Sequence, residues 1–170
     1  MTAAPSTHAN CVAIGERGVL IRGEPGSGKS GLSATLVARA REAGRFARLV
    51  SDDRTLLRAV HGRLIASPPP ALAGLIERRG VGIASEPHLG EIVVGLVVDL
   101  VASPDRMPEP EALACAVAGV SLPRVAIDPK DPRSVELILE CLILAFNASD
   151  CGRFALAFAP QHEKIAPSAS

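Results

Sequence analysis

The run Gly23-Glu24-Pro25-Gly26-Ser27-Gly28-Lys29-Ser30 has the spacing G-x-x-x-x-G-K-[ST], and its residue types together suit the holding of a nucleotide's phosphates. Glycines let successive backbone N–H groups converge on an anion without Cβ clashes. A helix that follows such a loop turns its free N–H groups and the positive end of its dipole toward the same anion. Lys29 can reach terminal phosphates, and the Ser30 hydroxyl can ligate Mg²⁺. A nucleotide or phosphate, with Mg²⁺, is therefore the expected ligand. The competing reading is a glycine-rich turn without function. Against it stand the apolar stretch before the loop, the helical pattern after it, and the scarcity of lysine, three against fifteen arginines.

The elements that must position this loop are legible around it. Cys11 to Ile14 and Gly18 to Arg22 read as two short strands joined by a turn at Gly15-Glu16-Arg17-Gly18. Leu32, Leu36, Val37 and Ala40 recur at helical spacing between Gly31 and Ala43, and Gly44 supplies a stop. Phe46 to Ser51 reads as a buried strand ending at Asp52-Asp53. Thr55 to Val60 and Arg63 to Ser67 flank His61-Gly62 as a hairpin, and Pro68-Pro69-Pro70 must break any sheet or helix. Ile92 to Val101 and Leu122 to Ile127 are further strands, and Ser134 to Phe146 is a helix with one apolar face. No internal repeat is visible. The reading is an α/β domain over residues 1–148, with 149–170 expected as a partly mobile tail.

Composition excludes several classes. Acidic and basic residues balance at 18 each, so the basic excess typical of nucleic-acid binders is lacking. Four Phe with no Trp or Tyr leave little for stacking on bases. The longest apolar stretch, Ile92 to Ala102, is interrupted by Asp99 and is too short to span a bilayer. No basic-then-apolar leader is visible at the N-terminus, so the cytoplasm is the expected compartment. Cys11, Cys115, Cys141 and Cys151 lack CxxC spacing and read as small core residues rather than zinc ligands or disulfide partners.

A phosphate loop alone names no reaction; the flanking motifs narrow it. Thr7-His8-Ala9 precedes the loop, Leu49-Val50-Ser51-Asp52-Asp53-Arg54 follows its helix, and Leu75-Ile76-Glu77-Arg78-Arg79-Gly80-Val81-Gly82-Ile83 comes next. In this order the segments resemble the signatures of the HPr serine kinase/phosphorylase family. Asp105-Arg106-Met107-Pro108-Glu109 and Ser121-Leu122-Pro123 resemble later pieces of its short alphaproteobacterial members. The resemblance covers residues 7 to 145 and implies a P-loop fold of the kind shared with phosphoenolpyruvate carboxykinase, a sheet core with flanking helices. Pro25 stands where the family commonly has Ser, and Arg78 where an apolar residue is usual. A separate N-terminal domain and the Arg-bearing C-terminal segment tied to phosphorolysis have no recognisable counterpart, so forward transfer is expected to outrun the reverse.

The resemblance implies a role for each residue. Asp53, matched to the second Asp of the family motif, is the expected proton acceptor from a serine hydroxyl, with Asp52 beside it. Glu77 resembles the family's acidic Mg²⁺ ligand and would complement Ser30. His8 resembles the pre-loop histidine that orients the aspartate, and Arg79 would stabilise charge on the transferred group. Each has a plainer alternative: a polar strand exit for Asp52-Asp53, an ion pair with Arg78 or Arg79 for Glu77, a surface position for His8. The implied activity is ATP- and Mg²⁺-dependent phosphorylation of a serine on the phosphocarrier protein HPr, with no nucleic acid or membrane partner and a homo-oligomer allowed. A small-molecule kinase or a nucleotide-sensing interaction module are the rival functions.

Overall fold

The computed structural model describes residues 6–78, 80–147 and 154. In chain order the strands are β1 (Ser6–Thr7), β2 (Ala9–Ile14) and β3 (Arg17–Arg22), followed by the P-loop and helix α1 (Lys29–Glu42). Then come β4 (Ala47–Ser51), β5 (Thr55–Val60), β6 (Arg63–Ser67), β7 (Leu75–Arg78), β8 (Gly82–Ser85) and β9 (Ile92–Leu100). The last elements are β10 (Ala114–Val117), β11 (Val120–Ile127) and helix α2 (Ser134–Asn147). The β5–β6 hairpin has the bounds that alternation and the His61-Gly62 turn predict. The prolines do take the chain out of the sheet, but Pro70 also opens a short 3₁₀ turn, Pro70–Leu72, where a first-turn proline loses no hydrogen bond. Patterning does not reveal β7, β8 or β10, which are short, the first two mostly exposed and β10 mostly half-buried.

The main sheet runs β1-β5-β6-β9-β3-β2-β4, with β11 paired in parallel to the end of β9 and carrying β10. β9 is the hub. It pairs with β6 through Ile92 and Val93, with β3 from Val94 to Asp99, and with β11 from Val97 to Leu100. Its residues are apolar on both faces up to Val98 because a strand flanked on both edges and covered on both faces has no solvent side. Gly95 is the extra residue of a bulge opposite Gly18 and Val19, which lets Val94 and Val97 share one face while Leu96, Val98 and Leu100 take the other.

Two apolar clusters hold the sheet. Val12, Ile14, Val19 and Ile21 face α1 and α2, both of which lie on this side. Cys11, Leu20, Leu57, Leu64 and Val97 fill the opposite side, where the sheet curls over itself. Burial alone raises the Cys11 thiol well above its ordinary pKa, and burial followed by the charge of Glu140 pushes Cys141 up to about 12, so both behave as apolar core residues. Cys151 lies outside the described residues. Phe154, the one described residue beyond Asn147, is fully buried in the helix-side cluster. Among the described residues no helix is long and apolar enough to cross a membrane.

Helix α1 buries Lys29, Leu32, Ser33, Leu36 and Ala40, one face at helical spacing. It starts two residues earlier than its apolar pattern because Gly28, at φ 98, is its N-cap. It ends in a Schellman motif: Arg45 N–H donates to Ala40 C=O (2.9 Å) and Gly44 N–H to Arg41 C=O (2.9 Å), around Gly44 at φ 73.

Candidate active site

Strand register brings three distant segments to one end of the sheet. β2 and β3 are antiparallel with Ala9 opposite Arg22, so His8 stands beside Gly23, where the P-loop begins. β2 and β4 are antiparallel with Cys11 opposite Ser51, so the Asp52-Asp53 exit arrives at the same end. Between those pairs β4 carries a bulge at Val50, with Val12 already opposite Leu49. The bulge re-aims the strand end, and the Asp52 side chain reaches the start of α1.

The loop itself fits an anion. Gly23 cannot carry a side chain, because a Cβ there would lie 2.6 Å from Ser27 Oγ and 3.0 Å from Leu100 Cβ. No side chain caps α1 and no acidic residue occupies its first turn, so its N-terminal N–H groups face no competing carboxylate. Ser27 Oγ is buried without a hydrogen-bond partner among the described residues, an arrangement that suits a phosphate oxygen. Lys29 is 6% exposed, and its ammonium donates to Gly23 C=O (2.9 Å), Glu24 C=O (3.1 Å) and His8 Nε2 (2.9 Å). An ammonium only donates, so Nε2 of His8 is the accepting nitrogen and Nδ1 carries the proton. That Nδ1–H points at Asp53 Oδ1, 3.0 Å away. Lys29, His8 and Asp53 thus form one connected chain from the P-loop to a carboxylate.

The two aspartates are differently placed. Asp53, its side chain 63% exposed, lines a cleft of about 480 Å³ together with His8, Lys29, Ser30, Ile76 and Glu77. Its φ is 61°, and Arg54 N–H closes on Asp52 C=O at 2.7 Å, a tight turn across Asp53. Asp52 is buried behind the cleft-lining residues Ser30 and Glu77, to which it is hydrogen-bonded. Its Oδ1 accepts from Ser30 Oγ (2.7 Å) and Asn10 Nδ2 (2.6 Å), and its Oδ2 from Glu77 N–H (3.1 Å). Because Ser30 donates its hydrogen bond to Asp52, its oxygen keeps a lone pair for a cation even with Asn10 Nδ2 at 3.3 Å. Arg78 pairs with Glu86, which removes one of the two ion-pair partners considered for Glu77. Arg79 lies outside the described residues.

The site thus joins a glycine-rich loop at a helix N-terminus, a serine hydroxyl hydrogen-bonded to a buried aspartate and an exposed carboxylate held by His8. Over residues 1–159 the chain matches the family described as the HPr serine kinase C-terminal domain. It belongs to that family.

The HPr kinase/phosphorylase of Enterococcus faecalis is 32% identical over 160 residues, covering 86% of this chain and 49% of the relative. That of Lactobacillus acidophilus is 31% identical, covering 86% and 48%. A solved structure described as the HPr(Ser) kinase/phosphatase from Coxiella burnetii superposes with a TM-score of 0.66 at 30% identity, over 84% of this chain and 90% of that one. The chain spans about half the length of the curated relatives it matches.

Two features of the site region escape sequence reading. One is Asn10; a lone amide within the apolar strand β2 is the available signal, since a buried amide must find partners. The other is Asp99, which reads only as an interruption of β9. Its carboxylate, 17% exposed, accepts from Arg22 Nε (2.7 Å) and Nη2 (2.8 Å) and from Arg124 Nε (2.6 Å). Arg22 is the last residue before the P-loop, so this cluster anchors the loop's entry. Burial pushes the Asp99 carboxyl up, but the hydrogen bonds and charges of Arg22 and Arg124 outweigh it and hold it below its ordinary value of 3.8. A depressed carboxylate stabilises the fold above its unfolded pKa and loses that contribution as pH falls through the folded value. Asp99→Asn is therefore expected to cost about 2 kcal/mol at neutral pH, the scale of a hydrogen bond to a charged group. The gap to wild type should close on acidification well below 3.8, as read by denaturant titration at both pH values.

Proposed function

We propose that this chain is an ATP- and Mg²⁺-dependent serine kinase acting on the phosphocarrier protein HPr. The observation that carries the reading is the Lys29–His8–Asp53 chain, which sets an exposed carboxylate beside a phosphate-binding loop. Bound Mg·ATP supplies a transferable phosphoryl group and the divalent charge that neutralises it. The backbone of residues 23–30 cradles the phosphates, and Lys29 adds the cation. Ser30 and Glu77 hold the metal; among the described residues no group of three or more His, Cys, Asp or Glu does so alone, and Mg²⁺ commonly needs only one or two protein oxygens. Asp53 accepts the seryl proton as the serine oxygen forms its bond to the terminal phosphorus and ADP leaves. His8 orients Asp53 through Nδ1–H. In the reverse direction inorganic phosphate takes the phosphoryl group to form pyrophosphate as the bond to the serine oxygen breaks, and protonated Asp53 returns its proton to that oxygen, a direction that the relatives' phosphorylase name supports.

Two features favour a polypeptide acceptor over a small metabolite. The base, Asp53, lines the cleft with a side chain that is 63% exposed. The β7–β8 hairpin that brings Glu77 to the cleft also presents Val81 and Ile83, 79% and 74% exposed, apolar surface that a polar metabolite would leave uncovered. Incubation with labelled ATP, Mg²⁺ and HPr from the same source is expected to yield phosphoserine on HPr. ADP release without labelled HPr would refute the assignment of the substrate.

A further inference from the structure

The four hydrogen bonds around Asn10 carry an inference that rests on the kinase reading and deepens it. Asn10 is fully buried, on β2, in register with Val12 and Ile14, which face the helices. Burying an amide there costs about 1–3 kcal/mol unless it is hydrogen-bonded, and an apolar residue would fill the space without that demand. The amide is instead engaged at both ends. Nδ2 donates to Asp52 Oδ1 at 2.6 Å and lies 3.3 Å from both Ser30 Oγ and Ser33 Oγ. Oδ1 accepts the N–H of Asp53 at 3.0 Å. Ser33 in turn donates to Lys29 C=O at 2.7 Å, so the contact extends to the backbone that carries the phosphate-binding lysine.

Each end therefore holds a different part of the machinery. The carbonyl end grips the backbone of Asp53 at φ 61, a conformation that persists only where surrounding groups over-determine it. The amide end holds the Asp52 carboxylate, which receives the Ser30 proton and so sets where the Ser30 lone pairs point. We propose that Asn10 is a positioning residue that fixes the proton acceptor Asp53 and the metal-binding hydroxyl of Ser30 relative to each other, acting on the hydroxyl through Asp52. It touches neither the nucleotide nor the acceptor serine. A residue that only filled the core would alter stability and leave metal use unchanged.

The test reads binding rather than turnover. ATP affinity is measured by calorimetry with and without Mg²⁺, and the ratio of the two dissociation constants reports how well the metal is coupled to the nucleotide. For Asn10→Val, metal-free ATP affinity is expected to stay near wild type, while the ratio falls about tenfold, the scale of coupling between contacting residues. In an Asp52→Asn background the same substitution is expected to lower the ratio little further, because its path runs through Asp52. If Asn10→Val does not fold, as judged by circular dichroism, the smaller Asn10→Ser serves in the same comparison. A wild-type ratio in the folded variant overturns the role of Asn10 alone, as does full additivity with Asp52→Asn. A wild-type chain whose ATP affinity ignores Mg²⁺ overturns the kinase reading and this role with it.

Discussion

Asp53→Asn is expected to abolish phosphoserine formation while ATP binding persists. The substitution isolates one function. Asn is isosteric with Asp and tolerates the left-handed region, so the positive φ of 61° adds no new backbone penalty. Its amide oxygen can still accept from His8 Nδ1–H, so the chain back to Lys29 survives. What is lost is the ability to take the proton from serine. General-base contributions run to about 10²–10⁴-fold, and a loss of that size in labelled HPr is the expected result. The ATP-induced rise in melting temperature should match wild type, since Asp53 donates nothing to the P-loop. Wild-type phosphorylation by Asp53→Asn would place the base elsewhere.

The second large effect is expected at Lys29. Its three donors go to two loop carbonyls and to His8 outside the loop, and a bound phosphate would take one of them over. Lys29→Ala removes the cation from the phosphate site and leaves Gly23 C=O and Glu24 C=O without this donor. Ligand at about 100-fold above its dissociation constant stabilises a protein by about 2.7 kcal/mol. At about 2–4 °C per kcal/mol for a domain of this size, wild type should gain about 5–10 °C from saturating ATP. Lys29→Ala should gain almost nothing, because a desolvated phosphate loses its charge-assisted bond. Lys29→Met retains most of the side-chain bulk and should behave alike, which separates lost charge from loop collapse. A full ATP-induced shift in either variant would refute the nucleotide site.

These expectations draw on residues with very different legibility. The P-loop is readable because its chemistry is contiguous: glycines, lysine and serine within one turn of chain, bounded by a strand and a helix. Lys29 and Ser30 need no partner from elsewhere to be recognised. Asp53, His8 and Glu77 gain meaning only with the family resemblance, since a strand-exit carboxylate or a solitary histidine has several plain explanations. Asn10 and Asp99 carry signals, a polar residue within each apolar strand, but nothing local says what they would bind. Arg22 is 77 residues from Asp99 and Asn10 is 42 from Asp52, and separations of that length are invisible to periodicity.

From the sequence alone came the strand–loop–helix unit of the P-loop, the β5–β6 hairpin, the apolar faces of both helices and the buried character of β9. Backbone preferences and side-chain periodicity act over a few residues, and those elements need nothing more. Tertiary structure decided the rest. It chose three pairing partners for β9, added the short strands β7, β8 and β10 that mostly lack a buried face of their own, and placed the bulge at Val50 that turns Asp52 toward Ser30. Above all it set Ala9 opposite Arg22 and Cys11 opposite Ser51, so that His8, the P-loop and Asp53 share one end of the sheet. Those pairings are determined by which faces must be buried together across the whole domain, a condition that no local stretch of chain expresses.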